Sequence, residues 1–353
     1  RDCLLSRGLG DVYKRQSVPS KKLFYTQRFY YIDISLLQDL GCEVILSNHI
    51  LDALLFWKYD FVFAYFYRKS FFVGLLARLL RKNVYFTGGI DDLDKEYASF
   101  MRYHIQKIFM KLCYFVATSC IIVSKADMNN VIKVLRTKNK LSYSEHTIDI
   151  TNFMKDEIVK ENFFTTIVWM GNVNNVKRKG VDIALYVFSI LKQNTLFSDY
   201  KFIIIGKVGE GTSYLRSLIV KYNLTNDVII TDEISETSKI DYLKRSKYYF
   251  QLSFYEGFGL AALEALVAKN IVIHSAKGGL SNPVFASGIH FNIEHDKRIE
   301  SRKLLDTLTY YTSSKQEANV QYMYQYYNNK RRKDDFMTVS YTHLRAHETR
   351  GNL

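Results

Sequence analysis

The chain has 353 residues, 48% of them hydrophobic and 24% charged, with only two prolines and a formal charge of +14. That length accommodates two domains with separate cores, and the absence of any Pro-rich or Gly/Ser-rich stretch excludes a long flexible tether between them. The one extended apolar region, Ile50 to Leu80, is broken by Asp52, Lys58, Asp60, Arg68, Lys69 and Arg78, which excludes a membrane-spanning helix there.

Both ends look foreign. Residues 1–16 (RDCLLSRGLGDVYKRQ) and 339–353 (VSYTHLRAHETRGNL) resemble translated sequencing-adapter read-through and are left out of the fold reading. Leu4, Leu5 and Leu9 make no continuous apolar core, so the first is not read as a signal peptide. Without the two tails the charge of +14 falls by two and then by one, to +11. Such a field favours nucleotide diphosphates, anionic membrane surfaces or nucleic acid without choosing among them. Cys42, Cys113 and Cys120 remain; none has CxxC spacing, and an odd number reads as reduced, buried thiols of a cytoplasmic protein.

From Lys22 the pattern alternates. Strands are expected at Lys22–Thr26, Cys42–Ser47, Phe61–Phe66, Val84–Thr87 and Ser119–Ser124, with helices near Ile32–Leu40 (closed by Gly41), Ser70–Leu80 and Tyr97–Phe115. The second half repeats the scheme, with strands at Thr166–Met170, Phe202–Ile205, Val228–Thr231, Tyr248–Leu252 and Asn270–His274. Alternation of this kind argues an α/β protein with parallel, doubly wound sheets.

The stretch Ser253–Ala265, S-F-Y-E-G-F-G-L-A-A-L-E-A, reads as the end of a strand, a glycine turn and a helix start. Gly257 and Gly259 let backbone approach a ligand, and the first amides of the helix favour an anion. Glu256 and Glu264 lie eight positions apart, about two helical turns, so both can face one crevice. A phosphate cradle flanked by carboxylates suits a ligand carrying both phosphate and sugar hydroxyls.

The Glu-x7-Glu spacing around Gly-Phe-Gly-Leu resembles the signature of the family 4 (group 1) retaining glycosyltransferases. The resemblance implies a GT-B architecture: two Rossmann-like domains facing a cleft, here 17–155 on the acceptor side and 156–314 on the donor side, with a helix at 315–338 packing back on the first. It implies that Glu256 lies beside the donor sugar, that Glu264 holds the ribose hydroxyls, and that the amides of Gly257, Phe258, Gly259 and Leu260 take the distal phosphate and sugar. In the family's basic loop, Gly171 and Lys179-Gly180 match, whereas Asn172 stands where Arg is usual, leaving Arg178 or Lys177 to supply the charge. Gly206 begins a loop that resembles the family's strand-Gly loop lining the donor pocket, and Asn282 occupies a position where the family usually has Glu.

Thr87–Asp94 (T-G-G-I-D-D-L-D) follows a first-domain strand; Gly88 or Gly89 stands where many relatives have His, and Asp91 or Asp92 is a candidate to position the acceptor hydroxyl. Asp92-x-Asp94 has the look of a metal-binding pair from an unrelated glycosyltransferase fold, which would not explain Glu256, Glu264 and Lys179. A helix N-cap before Tyr97 explains the aspartates equally well.

The resulting expectation is a metal-independent, retaining transferase needing no cofactor, with Glu256, Lys179 and Asp91 as catalytic candidates. Its partners would be a nucleotide-sugar donor and a saccharide or lipid-linked saccharide acceptor, in bacterial surface polysaccharide or lipid-linked glycan synthesis. The alternatives are a sugar-nucleotide-binding protein without turnover and a GT-B epimerase. Basic and aromatic residues mixed over Tyr97–Phe115 leave room for peripheral contact with an anionic membrane at the inner face of the cell membrane. No nucleic-acid motif accompanies the charge.

Overall fold

The structure, a computed structural model, describes residues 20–25, 30–40, 42–47, 49–154, 158–310 and 330–338. Both tails, Thr26, Gly41, the expected boundary at 155 and 156, and residues 315–329 of the expected last helix lie outside the described residues. The chain divides into two compact units, one of residues 1–123, 127–145 and 329–353, the other of 124–126 and 146–328.

In the first unit the strands are β1 (Ser20–Tyr25), β2 (Cys42–Ser47), β3 (Phe61–Tyr65), β4 (Asn83–Thr87), β5 (Ser119–Ile122) and β6 (Leu141–Tyr143), all parallel, in the order β2-β1-β3-β4-β5-β6. The helices between them are α1 (Tyr31–Asp39), α2 (Tyr67–Leu79), α3 (Phe100–Val116) and α4 (Lys125–Leu135). β3 is five residues of aromatic and small apolar side chains, four of them buried, as a strand covered on both faces requires. α3 begins at Phe100, three residues later than expected, because Asp94 first closes a separate turn by accepting from the Glu96 and Tyr97 amides at 2.9 and 3.0 Å.

Residues 330–338 are helical and belong to this unit. Arg332, fully buried, donates from Nε and Nη2 to the two oxygens of buried Asp33 at 2.5 and 2.8 Å, and from Nη1 to the Ser144 and Glu145 carbonyls at 2.8 and 2.9 Å. The Tyr65 hydroxyl donates to the same carboxylate, and the Phe336 ring meets Phe63 at 5.4 Å. A buried guanidinium is tolerable only where its donors find acceptors, and here four of the five N–H groups do.

The second unit has β7 (Glu161–Ile167), β8 (Lys201–Ile205), β9 (Val228–Ile230), β10 (Ser246–Gln251), β11 (Ile271–His274) and β12 (Ile289–His290), again all parallel, in the order β12-β11-β10-β7-β8-β9. Its helices are α5 (Thr151–Met154), α6 (Val173–Arg178), α7 (Val181–Leu191), α8 (Glu210–Lys221), α9 (Glu236–Arg245), α10 (Leu260–Val267) and α11 (Lys297–Thr309). Phe164 of β7 stacks on Tyr248 and Phe250 of β10 at 4.6 and 5.1 Å, which pins these neighbours together at the centre of the core. α7 packs against α11 as well as the sheet, and seven of its residues are buried, so its outer face is narrow. β7 begins five residues ahead of the expected Thr166. The polar Glu161, Asn162, Thr165 and Thr166 mask it in sequence, but Thr165 bonds Ser246, and Thr166 donates to the Phe250 carbonyl at 2.9 Å.

The expected fold class is therefore observed: α/β, with two Rossmann-like, doubly wound parallel sheets.

Candidate active site

In the second sheet the strand order reverses between β7 and β10, and ligands of open parallel sheets bind beyond the carboxyl ends of strands at such a point. The two segments leaving those ends are 168–180 and 252–260, which contain most of the residues selected from sequence. Gly180 is what lets them meet. Its φ is +65°, and a Cβ there would sit 2.0 Å from the Leu252 carbonyl oxygen. The Phe254 amide donates to the Arg178 carbonyl at 2.9 Å, closing the contact.

Across this junction the Lys179 ammonium pairs with Glu256. Glu256 Oε1 also accepts from Gln251 Nε2 and Ser253 Oγ, each at 2.8 Å. Gln251 is oriented in turn by the Tyr249 hydroxyl at 3.2 Å, and that hydroxyl accepts from the Ile167 amide at 3.2 Å. Burial pushes the Glu256 carboxyl up, but the charge and hydrogen bond of Lys179, the Arg178 charge and Ser253 outweigh it and hold the group below the usual carboxylate range. Glu256 is thus an ionised, fixed acceptor, and Lys179 keeps donors to spare, since an ammonium has three.

The turn after Glu256 rests on the next loop. Gly278, at φ +61°, pairs its backbone with Glu256, and a Cβ there would lie 2.3 Å from the Glu256 carbonyl oxygen. The Gly279 amide donates to that oxygen at 2.6 Å. Phe258 turns inward, buried, its ring 5.6 Å from His146, so only its backbone faces outward from the core. Gly259, at φ +95°, is the N-cap of α10, and Leu260 opens the helix, whose first amides lack intrahelical acceptors.

Glu264 sits on α10 and meets Lys239 of α9 at 2.9 Å; that lysine also holds Glu236 at 2.7 Å. Burial raises the Glu264 carboxyl, and Lys239 only partly offsets it. Both Glu256 and Glu264 push up the Tyr249 phenol, after its own burial, so the two carboxylates share one electrostatic neighbourhood.

The remaining candidates differ from expectation in detail. The basic loop is partly helical: Asn172 is the N-cap of α6, its Oδ1 accepting from the Asn175 amide at 2.8 Å, so its side chain serves the backbone. Arg178 donates to Asn175 Oδ1 at 3.0 Å while its charge reaches Glu256, whereas Lys177 lies over the Tyr214 ring at 5.3 Å. Gly171 lies beneath the Trp169 ring, which is 56% exposed. Gly206 lies against the Val168 backbone, so the β8 loop packs on the β7 loop. Asn282 is buried and accepts from the Lys125 amide at 3.2 Å. Asp91 belongs to the first unit, in the turn Asp91–Leu93 after β4; its neighbour Asp92 pairs with Arg102. Among the described residues no three His, Cys, Asp or Glu cluster as metal ligands would.

Sequence reasoning missed Gln251, Ser253 and Trp169. The first two flank Leu252, Gln251 as the last residue of β10 and Ser253 two positions on, and both donate to Glu256.

The two parallel sheets define a protein of GT-B fold, with the glycine turns and the Lys179–Glu256 pair on the second sheet. The family described as glycosyl transferases group 1 matches residues 154–323, all within the second unit. Among solved structures the chain is similar to Anabaena HepE in complex with UDP and glucose, at 15% identity and a TM-score of 0.71 over 92% of this chain and 100% of that one. It is also similar to sucrose-phosphate synthase from Thermosynechococcus elongatus (14%, TM-score 0.68, 97% and 93%). A third is a TarM mutant from S. aureus in complex with Fondaparinux, alpha-GlcNAc-glycerol and UDP (16%, TM-score 0.64, 79% and 55%). No curated protein matches the sequence.

Proposed function

We propose that the protein is a retaining glycosyltransferase of family 4 that moves a hexosyl group from a nucleotide-diphosphate sugar to a hydroxyl. The observation that carries this is the Lys179–Glu256 pair, beside an anion-seeking helix start at the sheet's switch point. UDP in the related structures supports a UDP-sugar donor.

On this reading Lys179, Arg178 and the amides of Gly257 to Leu260 receive the diphosphate, and they are preorganised for the charge that develops as it leaves. These cations and amides supply what a divalent ion would otherwise supply, so we assign no metal. Glu256 orients the sugar and supports positive charge at the anomeric carbon, and Glu264, releasing Lys239, accepts from the ribose hydroxyls. The bond from the anomeric carbon to the diphosphate oxygen breaks, and the acceptor oxygen bonds the same face. A phosphate oxygen of the leaving group takes the acceptor proton. Asp91, on the acceptor-side unit, is assigned to position that hydroxyl, on a saccharide or lipid-linked saccharide of bacterial surface glycan synthesis.

The test begins with thermal shifts against UDP, GDP, ADP and CMP compounds, then follows transfer and the anomeric configuration of product by NMR. Inversion, or equal donor binding by wild type and Lys179→Ala, overturns the reading. Asn172, used as a helix cap where the family usually has Arg, favours one second reading, donor binding without turnover. It would give a thermal shift but neither transfer nor donor hydrolysis.

A further inference from the structure

The first unit presents a helical face that turns apolar and basic residues outward together. The chain moves in one direction across the sheet from β2 to β3, β4 and β5, so right-handed crossovers place the turns at 50–58, α2 and α3 on the same side. α2 packs against both the first of these turns and α3, and the Phe71 ring bridges Phe72 and Phe109 at 5.2 and 5.7 Å. α3 buries an ordinary, mostly apolar stripe that ends at Val116, but it carries a second apolar stripe on its outer side. Tyr103 and Gln106 are buried with Met110 and Cys113, whereas Met101, Ile108, Leu112 and Phe115 form an outward stripe at helical spacing, Phe115 being 83% exposed. Phe72 and Leu79 of α2 are exposed beside it, and so is Trp57.

The charges on the two helices are of one sign, although Arg102 of α3 is paired with Asp92 and the turns carry Asp52. No Asp or Glu occurs from Phe61 to Ile90 or from Tyr97 to Ala126, while Arg68, Lys69, Arg78, Arg81 and Lys111 are exposed and Lys107 is half-buried. Single exposed apolar residues are ordinary on any protein. A stripe of them beside cations, with no carboxylate on either helix, is not. A second copy docking helix face to helix face would set like charges together with no acid on either helix to pair them. The occupant that complements both features is apolar just beneath an anionic surface.

We propose that the outer face of α2, α3 and the adjoining turns is a peripheral docking surface for bilayers rich in acidic lipid, with Ile108, Leu112 and Phe115 entering the headgroup boundary and Lys107 and Lys111 meeting the headgroups. Docking here needs neither donor nor acceptor, so its test is separate from that of sugar transfer.

The full chain is floated with phosphatidylcholine vesicles with and without phosphatidylglycerol, at physiological and at high salt. Binding should require phosphatidylglycerol and weaken with salt. Lys107→Gln with Lys111→Gln should lower it about tenfold or more, and the triple variant Ile108→Ser, Leu112→Ser, Phe115→Ser should abolish it. These side chains lie outward, and the far-UV melting of each variant checks that it folds. In a Trp169→Phe background, Trp57 emission should shift to the blue on adding the acidic vesicles. Absence of vesicle binding, or binding that neither set of substitutions changes, overturns the proposal. So does a dimer in sedimentation velocity that the serine substitutions dissolve without any vesicle binding. Retention on RNA with no affinity for vesicles overturns it equally.

Discussion

In the first unit Arg332 meets Asp33 with both side chains wholly buried, whereas in the second Lys179 meets Glu256 with 20% of the lysine side chain still open. The guanidinium has its fork filled by a carboxylate and two carbonyls, so it offers nothing to a ligand. The ammonium is a point charge on a flexible stem, held at one acceptor beside a helix start. The same acid–base chemistry thus closes one region and leaves the other poised. What separates them is which donors remain.

The largest effect expected from breaking this contrast is on stability. Arg332→Leu leaves Asp33 buried without its cation and should cost about 3–5 kcal/mol in urea unfolding; a loss below ~1 kcal/mol would mean that the pair is not structural. Lys179→Ala should cost less stability but lower kcat/KM about 10²- to 10³-fold, the loss typical of one preorganised oxyanion donor. Unchanged turnover would make Lys179 a second Arg332.

A smaller effect is expected at Glu264, where Gln should raise the donor KM about tenfold, near 1.4 kcal/mol, with kcat little altered. Because burial raises this carboxyl, donor affinity should decline on acidification at a higher pH than an ordinary glutamate would impose, and Glu264→Gln should remove that decline.

The smallest effect at neutral pH concerns His274 under the Gly278 loop. Its Nδ1 accepts from the Ala276 amide at 3.2 Å, so Nε2 carries the proton donated to the Phe285 carbonyl at 3.0 Å, which fixes a neutral ring. Burial lowers this imidazole to about 4 from 6.5. The unfolded chain takes up the proton first, so stability should fall as pH drops from 6.5 towards 4, and His274→Asn should flatten that slope.

Much of this was legible in sequence, because strand alternation and the Glu256 turn are local patterns. β10 and the start of α10 followed from an aromatic run and an Ala/Leu run on either side of Gly-Phe-Gly. β7 was displaced because its polar threonines bond across strands, a tertiary fact. Asn172 as a cap required knowing that α6 exists at all. The Arg332–Asp33 pair was invisible, since the partners are 299 residues apart and neither lies in a motif.

The main-chain contacts made by Gly180 and Gly278 have a practical corollary for anyone wishing to retarget this protein. A side chain at either position would collide with a carbonyl that cannot withdraw, so saturating them would mostly yield unfolded clones. Trp169 and Phe254, large and exposed on the two segments that flank the Lys179 pair, are where diversification can alter what is accepted while the frame stays intact.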